Sequence, residues 1–501
     1  MLQTYGLQFE DGRVLPVHSR GAIYSQERRA MPNETHVFFL VKRTQFWLDV
    51  ISKIVRDRPD VRLVVVDIGN FDYPRQPPWR VPRESYFRPG AVFRMFEKIG
   101  AEYFDGRRFK SEPKQLDPEE IWKLRVAVES SLISAMRKSL ARPGKHSGLL
   151  QKLADRLVTT QSERVFALAV DALREFSPSH VFIVNGRFAG EQACVLAARR
   201  REIEITFLEI NGIFANLFAR PYRIQDRVAS QQHALLVGEN LSKANLRDSA
   251  DRWVTQQREK NSVTNPFNKL WVDSSGSWNS PRESLALFAT SSRDEYESLD
   301  IDWKEASWEN QLDSFQAVWD KIKSSELTPV LRVHPNLLNK QPMSGLREIF
   351  EIKRFMRKNP DFVVVWPSSR VSTYDLISYS DVVIVQNSTV GLEASIRGIP
   401  VICTDSCGYD LVADVYSIHG PSDLDKLKPP FTADKSGAEI FVAAQDALDE
   451  RIERNEAGVD IHNHSRVLLL ILSVLDGSLA SIVFELRWKA YRFVTLRIFP
   501  K

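Results

Sequence analysis

Three short polar segments, each directly after a run of apolar residues, contain the side chains of this sequence that are best suited to bind an anion. They are Thr290-Ser291-Ser292-Arg293, His334-Pro335-Asn336 and Gln386-Asn387-Ser388-Thr389. The apolar runs have the length and β-branching of buried parallel strands, and open α/β sheets bind ligands at the carboxyl ends of their strands. Hydroxyl, imidazole and amide groups from three such ends can converge on one phosphate, so the pattern predicts a phosphate site.

The third segment belongs to a strand–helix–strand unit. The apolar runs at 382–385 and 401–404 predict two parallel strands, and Gly398 and Pro400 predict the end of the helix between them. That helix is expected to begin near Ser388, and the unpaired backbone N–H groups of a first helical turn can bind a phosphate.

The start of this helix carries further groups that a nucleotide can contact. Asn387, Ser388 and Thr389 lie in its first turn, and Gly391 has no side chain to keep a ligand at a distance. Glu393 follows Thr389 by one helical turn, where its carboxylate can accept hydrogen bonds from ribose hydroxyls. The alternative is structural: Ser388 or Thr389 caps the helix and Glu393 complements the helix dipole.

Two basic residues of the second polar region have competing explanations. His334 can donate to a phosphate oxygen or assist a leaving group, because imidazole changes its charge near neutral pH, or it can be a turn residue bonded to backbone. Arg332 lies inside an apolar strand, where an unpaired charge is unfavourable, so it needs a carboxylate or an anionic ligand. We expect Arg332 to form a buried structural ion pair.

The composition is that of an ordinary cytoplasmic protein. Lysine and arginine number 68 against 64 acidic residues, and a net charge of +4 argues against a general nucleic-acid-binding surface. Cys194, Cys403 and Cys407 are too few for a disulfide framework and lack the CxxC spacing of zinc sites, so they should pack as small apolar residues. No signal peptide is evident, and the longest apolar run, 467–475, is too short to cross a membrane.

The order of the predicted elements indicates two doubly wound α/β domains. The first domain, 1–265, contains strands at 36–41, 61–68, 180–184 and 203–209 and a helical insertion at about 110–178. The second domain, 266–460, contains strands at 285–289, 330–333, 362–365, 382–385 and 401–404. The Ser-, Asn- and Pro-rich stretch 256–283 is the predicted linker and 69–90 a loop on the ligand side. Residues 461–501 are expected to form C-terminal helices that pack back on the first domain.

Three phrases in the second domain resemble the bacterial capsule and surface-polysaccharide glycosyltransferases of GT-B fold, which include the capsule Kdo transferases. They are LALFATSSRDEY at 285–296, LRVHPN at 331–336 and QNSTVGLEA at 386–394. The resemblance implies two Rossmann-like domains facing a cleft, with the HP and Ser/Thr motifs on the donor phosphate and the glutamate on the ribose. The donor-nucleotide site would comprise Ser291, Ser292, His334, Pro335, Asn387, Ser388, Thr389, Gly391 and Glu393.

The resemblance also extends to the first domain, where Asn185-Gly186-Arg187 is similar to the loop on the acceptor or donor-sugar side. Transfer with inversion needs a base to deprotonate the acceptor hydroxyl. Glu191, just after this turn, is the leading candidate for that base, and His334 is the other predicted catalytic residue. Asp67 and Asp72 are reserves. Glu191 can instead be a first-turn residue favoured by the helix dipole, and Arg187 can pair with Glu191 or bind an anionic substrate group.

The resemblance implies no obligatory metal and no cofactor other than the nucleotide-sugar substrate. Asp300-Ile301-Asp302 matches a DxD metal motif only superficially, and Gly-rich dinucleotide and Walker loops are absent from the sequence. Residues 482–501 mix basic and aromatic side chains, which favours either packing on the first domain or contact with an anionic membrane surface. A nucleic-acid partner is not expected.

We therefore predict a cytoplasmic enzyme, peripheral to the inner face of the membrane if its tail binds lipid. It would transfer a sugar, with CMP-linked sugars among the candidates, to a glycan or lipid-linked glycan of the bacterial surface. Three alternatives stay open: a glycerophosphotransferase-like polymer synthase that uses a CDP-polyol, a nucleotide-sugar epimerase or hydrolase, and a non-catalytic binding or assembly module. The tandem Kdo transferases carry two such modules, whereas this sequence contains one set of the motifs.

Overall fold

A computed structural model gives the architecture of most of the chain. It describes residues 9–10, 13–14, 34–41, 45–68, 96–109, 111–136, 149–210, 217–263, 284–292, 307–324, 327–335, 342–369 and 371–448, and the single residues 296, 299, 303 and 337. The predicted loop at 69–90, the C-terminal residues 482–501, and the residues Asp72, Asp300 and Asp302 lie outside the described residues.

The first sheet has six strands, and a separate two-stranded ribbon, β1 (Phe9–Glu10) and β2 (Arg13–Val14), precedes it. In the order β5-β4-β3-β6-β7-β8, all neighbours are parallel except β7 and β8. The strands are β3 (Glu34–Leu40), β4 (Val61–Asp67), β5 (Glu102–Asp105), β6 (His180–Val184), β7 (Glu204–Ile210) and β8 (Leu217–Arg220). The sequence predicted β3, β4, β6 and β7; the short outer strands β5 and β8 were missed.

Helices cover both faces of this sheet because successive strand residues point to opposite sides. Phe38 and Leu40 pack on α1 (Gln45–Asp57), whereas Val37 and Phe39 belong to the core on the other face. The helices of that other face are α2 (Pro118–Met136), α3 (Leu149–Phe176) and α4 (Ala189–Arg200). Since α2 and α3 both lie between β5 and β6, the predicted helical insertion is present.

The second sheet also has six strands, in the order β11-β10-β9-β12-β13-β14, and every neighbouring pair is parallel. The strands are β9 (Ser284–Ala289), β10 (Leu327–Arg332), β11 (Val363–Val365), β12 (Ser380–Val385), β13 (Val401–Cys403) and β14 (Tyr416–Ser417). Five of them were predicted. The sixth, β14, has two residues, which is too short for a periodic signal.

The helices that follow the crossover cover both faces of the second sheet. They are α5 (Arg227–Gly238), α6 (Lys243–Val263), α7 (Gln311–Ile322), α8 (Pro342–Lys358), α9 (Thr373–Ser378), α10 (Thr389–Ile396) and α11 (Ser436–Leu448). Phe315 of α7 and Phe355 of α8 pack on one face with Phe288, whereas Trp253 of α6 and Val442 of α11 belong to the core of the other face.

In each sheet the first strand lies inside, the next two follow on one side and the last three on the other, which is the Rossmann order. The fold class predicted from the sequence, two Rossmann-like doubly wound units, is therefore confirmed. The order reverses between β3 and β6 in the first sheet and between β9 and β12 in the second, and these reversals are where such sheets bind ligands.

The chain passes from the first sheet to the core of the second between β8 and α5. Ala234 and Val237 of α5 and Ala250 and Trp253 of α6 belong to the core of the second sheet. Trp303 supports the crossing segment by donating from Nε1 to the Gln225 carbonyl oxygen at 2.6 Å. The predicted boundary at residue 265 and residues 264–283 of the predicted linker lie outside the described residues.

Candidate functional site

The loops after β9 and β12 are joined at the reversal point of the second sheet. The Ser291 hydroxyl donates to the Asn387 carbonyl oxygen at 2.7 Å and accepts from the Asn387 N–H at 3.3 Å. The Ser291 N–H in turn donates to Gln311 Oε1 at 3.2 Å, at the start of α7. Ser291 thus acts as a connector between the polar segments, and two of its hydroxyl contacts are already made within the protein.

The loops after β9 and β10 are joined in the same way. The Thr290 N–H donates to the Arg332 carbonyl oxygen at 3.0 Å, and the His334 N–H donates to Thr290 Oγ1 at 2.7 Å. The three polar strand ends that the sequence singled out are therefore neighbours in space. Pro335 follows His334 in a turn that closes with a hydrogen bond from the Leu337 N–H to the His334 carbonyl oxygen at 3.1 Å.

The start of α10 is a capped helix terminus. Ser388 is the N-cap, and its Oγ accepts from the Val390 N–H at 3.3 Å. This is the structural alternative considered for Ser388, and it leaves the neighbouring Thr389 side chain exposed. The exposed part of the turn therefore includes Thr389, whereas the Gly391 N–H, like that of Val390, is bonded within the turn, in its case to the Ser388 carbonyl oxygen at 3.1 Å.

The surroundings of Gly391 differ from the sequence expectation. A Cβ atom at this position would overlap the Tyr409 hydroxyl and lie 3.0 Å from Val385 Cγ2 and 3.1 Å from Val401 Cγ1. The close approach that requires glycine is made by the protein's own core and not by a ligand. Glu393, on the same helix, is only 5% exposed.

A cavity of mixed polar and apolar lining opens beside these loops, at the carboxyl ends of β9 and β10 and between α7 and α8. Its polar lining includes Ser291, Ser292, His334, Gln311, Glu348 and Glu351. Three of the predicted donor-site residues thus share one concave surface, whereas the start of α10 reaches this surface through the Ser291–Asn387 hydrogen bonds. The lining contributed by α7 and α8 was not found from the sequence.

The start of α7 had a readable signal. Asn310 caps this helix by accepting from the N–H groups of Leu312 at 2.9 Å and Asp313 at 3.1 Å. An asparagine before an apolar-periodic run is a common helix start, and it would have placed Gln311 at the strand ends. Glu348 and Glu351 had no such signal, because acidic residues on an exposed helix are ordinary.

Arg332 is buried as predicted, but in the part of the chain that the structure describes no carboxylate forms the expected ion pair with it. Its Nη1 donates to the Trp366 carbonyl oxygen at 2.9 Å and its Nε to Thr373 Oγ1 at 3.2 Å. Neutral oxygens therefore replace the carboxylate, and burial lowers the pKa of Arg332 to about 10. The guanidinium stays charged at neutral pH and holds the loop after β11 against α9.

In the first domain, Asn185 and Gly186 form a tight turn after β6 with φ values of 59° and 77°. Asn185 Oδ1 accepts from the Arg187 N–H at 3.1 Å, and its amide donates to the Glu209 carboxylate. A Cβ on Gly186 would lie 2.5 Å from the Phe207 ring, so both the backbone angle and the packing require glycine here. The turn directs Arg187 onto the Phe188 ring, 4.5 Å from guanidinium carbon to ring centroid.

The two predicted catalytic residues lie in different α/β units, Glu191 in a helix of the first and His334 in the loop after β10 of the second. Glu191 is in the first turn of α4, 4% exposed, and the Ala189 N–H of that turn donates to Ser131 Oγ at 2.8 Å. Burial, and secondarily the charge of Glu191, raises the pKa of Cys194. The reserve base Asp67 is fully buried and accepts a hydrogen bond from the Tyr103 hydroxyl.

All three cysteines are buried and unbonded to one another, which confirms that they pack as small apolar residues. Cys407 donates from Sγ to the Gln386 carbonyl oxygen at 3.2 Å, below the α10 turn. Burial raises the pKa of Cys407, so the thiol keeps its proton. Within the described ranges, no group of three or more His, Cys, Asp or Glu side chains is arranged to hold a metal ion.

None of the helices in the described part of the chain combines the length and apolar character needed to cross a membrane.

No protein-family model matches the sequence, and a comparison with curated proteins gives no match. Among solved structures, a KpsC β-Kdo 2,4-transferase from Thermosulfurimonas dismutans is 16% identical, with a TM-score of 0.33 over 53% of this chain and 79% of that chain. A Methanocaldococcus jannaschii UDP-GlcNAc 2-epimerase in complex with UDP-GlcNAc and UDP is 12% identical, with a TM-score of 0.30 over 88% and 99%.

A Neisseria meningitidis UDP-GlcNAc 2-epimerase bound to UDP-GlcNAc is also 12% identical, with a TM-score of 0.28 over 87% of this chain and 98% of that chain. Similarities this low show nothing about the activity of this chain. The order of the strands and the contacts at their carboxyl ends are what establish the architecture and the candidate site.

Proposed function

We propose that the chain is a glycosyltransferase that moves a sugar from a nucleotide-sugar donor to a bacterial surface glycan such as capsule or lipopolysaccharide. The observation that carries this proposal is the hydrogen-bonded junction of Ser291 with Asn387, because it lies where the strand order of the second sheet reverses. Rossmann-like sheets bind nucleotides at such reversals. The sequence resemblance to surface-polysaccharide glycosyltransferases supplies the reaction.

In this proposal the second domain binds the donor. The phosphate lies between His334 and the start of α10, near Thr389 and Asn387. Helix N–H groups stabilise the charge that develops on the departing phosphate, and His334 donates a hydrogen bond or a proton to it. Catalysis then depends on positioning and on leaving-group stabilisation, without a metal or a further cofactor.

The first domain binds the acceptor in this scheme. An acceptor hydroxyl oxygen attacks the anomeric carbon, the bond from that carbon to the phosphate oxygen breaks, and the nucleotide leaves. Glu191 takes the proton of the acceptor hydroxyl, and the Asn185-Gly186-Arg187 turn contacts the acceptor or the donor sugar. A lipid-linked glycan acceptor would place the protein at the inner membrane surface, where the basic and aromatic residues of 482–501 can bind anionic lipid.

A thermal-shift comparison of CMP, CDP, UDP and GDP tests the donor site first, because a ligand bound by the native state raises the apparent stability. At least one nucleotide should raise the melting temperature. Nucleotide release from CMP- and UDP-linked sugars, measured with and without a glycan acceptor, then tests transfer. Release that requires the acceptor supports the proposal, whereas full release without it indicates a hydrolase or an epimerase.

Two substitutions test the residues. His334→Gln should lower turnover at least tenfold, a typical loss for an acid or hydrogen-bond donor at the reacting centre. The matched control is His233→Gln, since His233 lies on α5 and is bonded to Tyr222. Transfer from a CDP-polyol instead of a sugar would establish the glycerophosphotransferase alternative, and a protein that binds nucleotides but never turns over would be a binding module.

A further inference from the structure

Tyr409 lies directly beneath the exposed turn at the start of α10. The residue follows β13, is 4% exposed and packs near Phe441 of α11, with 6.4 Å between ring centroids. Its hydroxyl donates to the Ser388 carbonyl oxygen at 2.7 Å. Burial raises the pKa of Tyr409, so the hydroxyl remains a donor at every physiological pH.

The hydroxyl of Tyr409 and the bare α-carbon of Gly391 fit each other. The Ser388 carbonyl oxygen that accepts the hydrogen bond from the Tyr409 hydroxyl also accepts one from the Gly391 N–H at 3.1 Å. A side chain at position 391 would occupy the space of the tyrosine hydroxyl. One side chain therefore contacts the first turn of α10 at its capping residue and at the residue that closes the turn.

The loop that carries Tyr409 is itself held firmly. The neighbouring Asp410 carboxylate accepts from Arg227 at 2.7 Å, from Gln231 Nε2 at 3.1 Å and from the Cys407 N–H at 2.9 Å. The Leu411 N–H donates to Gln231 Oε1 at 2.6 Å. With both sides of Tyr409 anchored to α5, its hydroxyl is a fixed point and not a mobile cap.

We propose that Tyr409 is a positioning residue for the donor phosphate: by fixing the Ser388 carbonyl from below, it sets the direction of the Thr389 N–H, which belongs to the same planar peptide group. Tyr409 acts through backbone and does not touch the substrate. The inference rests on the proposed function, because it assigns a phosphate to the exposed side of this turn.

The first test is Tyr409→Phe, which removes one oxygen and keeps the ring in the core. Affinity for the nucleotide that gives the largest thermal shift among CMP, CDP, UDP and GDP should fall about fivefold, the usual effect of one hydrogen bond. Affinity for the corresponding nucleoside should not change. The control is Tyr416→Phe, because the Tyr416 hydroxyl bonds to backbone of Thr432 in the same domain, and both affinities should stay at the wild-type level.

A second test uses the fit between positions 391 and 409. Gly391→Ala should weaken nucleotide binding more than Tyr409→Phe does, since its methyl group displaces the hydroxyl. The double variant should bind the nucleotide better than Gly391→Ala alone, because the overlapping oxygen is gone. Additive effects, or a double variant worse than both single variants, would show that the two positions do not act together.

The outcomes separate this inference from the proposed function. If the wild type binds a nucleotide and Tyr409→Phe binds it equally well, Tyr409 is structural only and the inference is wrong, while the proposed function stands. Equal losses for nucleotide and nucleoside would likewise indicate general loosening of the domain. If the wild type binds none of the four nucleotides, the proposed donor site fails, and the phosphate role of Tyr409 fails with it.

Discussion

The hydroxyl of Ser291 is bonded to both backbone polar groups of Asn387, donating to the carbonyl oxygen at 2.7 Å and accepting from the N–H at 3.3 Å. The two residues are far apart in the chain, at the ends of β9 and β12. A single hydroxyl therefore links the loops after β9 and β12 at the point where the strand order of the second sheet reverses. Its neighbours are the cavity at His334 and the turn at the start of α10.

Ser291→Ala should leave both Asn387 groups without their partner. We expect the free energy of unfolding to fall by about 1–3 kcal/mol and nucleotide affinity to fall with it. Urea denaturation and a nucleotide titration measure the two effects. Ser52→Ala is the control, because its hydroxyl bonds within its own helix, to the Leu48 carbonyl oxygen at 2.7 Å, and its removal should change neither quantity appreciably. An unchanged stability of the Ser291 variant would mean that water replaces the hydroxyl.

The Arg227–Asp410 ion pair is buried, with side chains 6% and 3% exposed. Arg227→Met should lower the free energy of unfolding by about 3–5 kcal/mol, because it leaves the Asp410 charge without its main partner. The exposed pair Lys323–Asp320, 56% and 52% exposed, is the comparison. Lys323→Ala should change stability far less than Arg227→Met does, because solvent screens an exposed pair. Similar losses in the two variants would contradict the assigned burial of the first pair.

Substitutions at Gly186 and Gly398 can distinguish the cost of a strained backbone from the cost of steric overlap between a new Cβ atom and its neighbours. Both have positive φ, 77° and 73°, but a Cβ would meet the Phe207 ring at position 186 and nothing within 4 Å at position 398. Gly398→Ala should cost about 1–2 kcal/mol for the left-handed backbone alone. Gly186→Ala should cost clearly more in the same denaturation experiment. Equal costs would show that the Phe207 ring moves aside freely.

Two histidines at the amino ends of the first-sheet strands should make stability depend on pH. Burial lowers the pKa of His180 from 6.5 to about 4, and burial also lowers the pKa of His36, whose ring centroid lies 5.1 Å from that of His180. The unfolded chain therefore takes up protons first, so stability should fall as the pH drops from about 6.5 toward 4 and be fully present above that window.

The same denaturation experiment measures the size of this pH effect in the wild type and in a variant without His180. For His180 the loss at the acid end should be on the order of 3 kcal/mol. In His180→Gln the slope of unfolding free energy against pH should be smaller than in the wild type between pH 6.5 and 5.5. Carboxylates with lowered pKa values, such as Glu34 and Glu102, begin to reduce stability as the pH approaches 4.5, the ordinary pKa of a glutamate, and therefore act below this range. A wild-type slope retained in the variant would contradict the assignment.

Much of the fold follows from local patterns in the sequence. Uninterrupted β-branched and apolar runs predicted the long inner strands, and glycine and proline predicted the ends of the helices. These signals can be read from the sequence because they depend only on neighbouring residues along the chain. The outer strands β5, β8 and β14 are short and partly exposed, so their pairing is decided by the adjacent strand. The polar strand ends were also found from the sequence, since their position follows from that of the strands.

Only the tertiary structure decided which partners these residues and helices contact. Arg332 meets neutral oxygens instead of a carboxylate, Gly391 faces Tyr409 instead of a ligand, and α5 and α6 join the second core. Each of these depends on residues far apart in sequence, whose contact follows from packing and not from local preference. The sequence thus determined the two α/β units and the location of a candidate anion site, and the packing determined its supporting contacts.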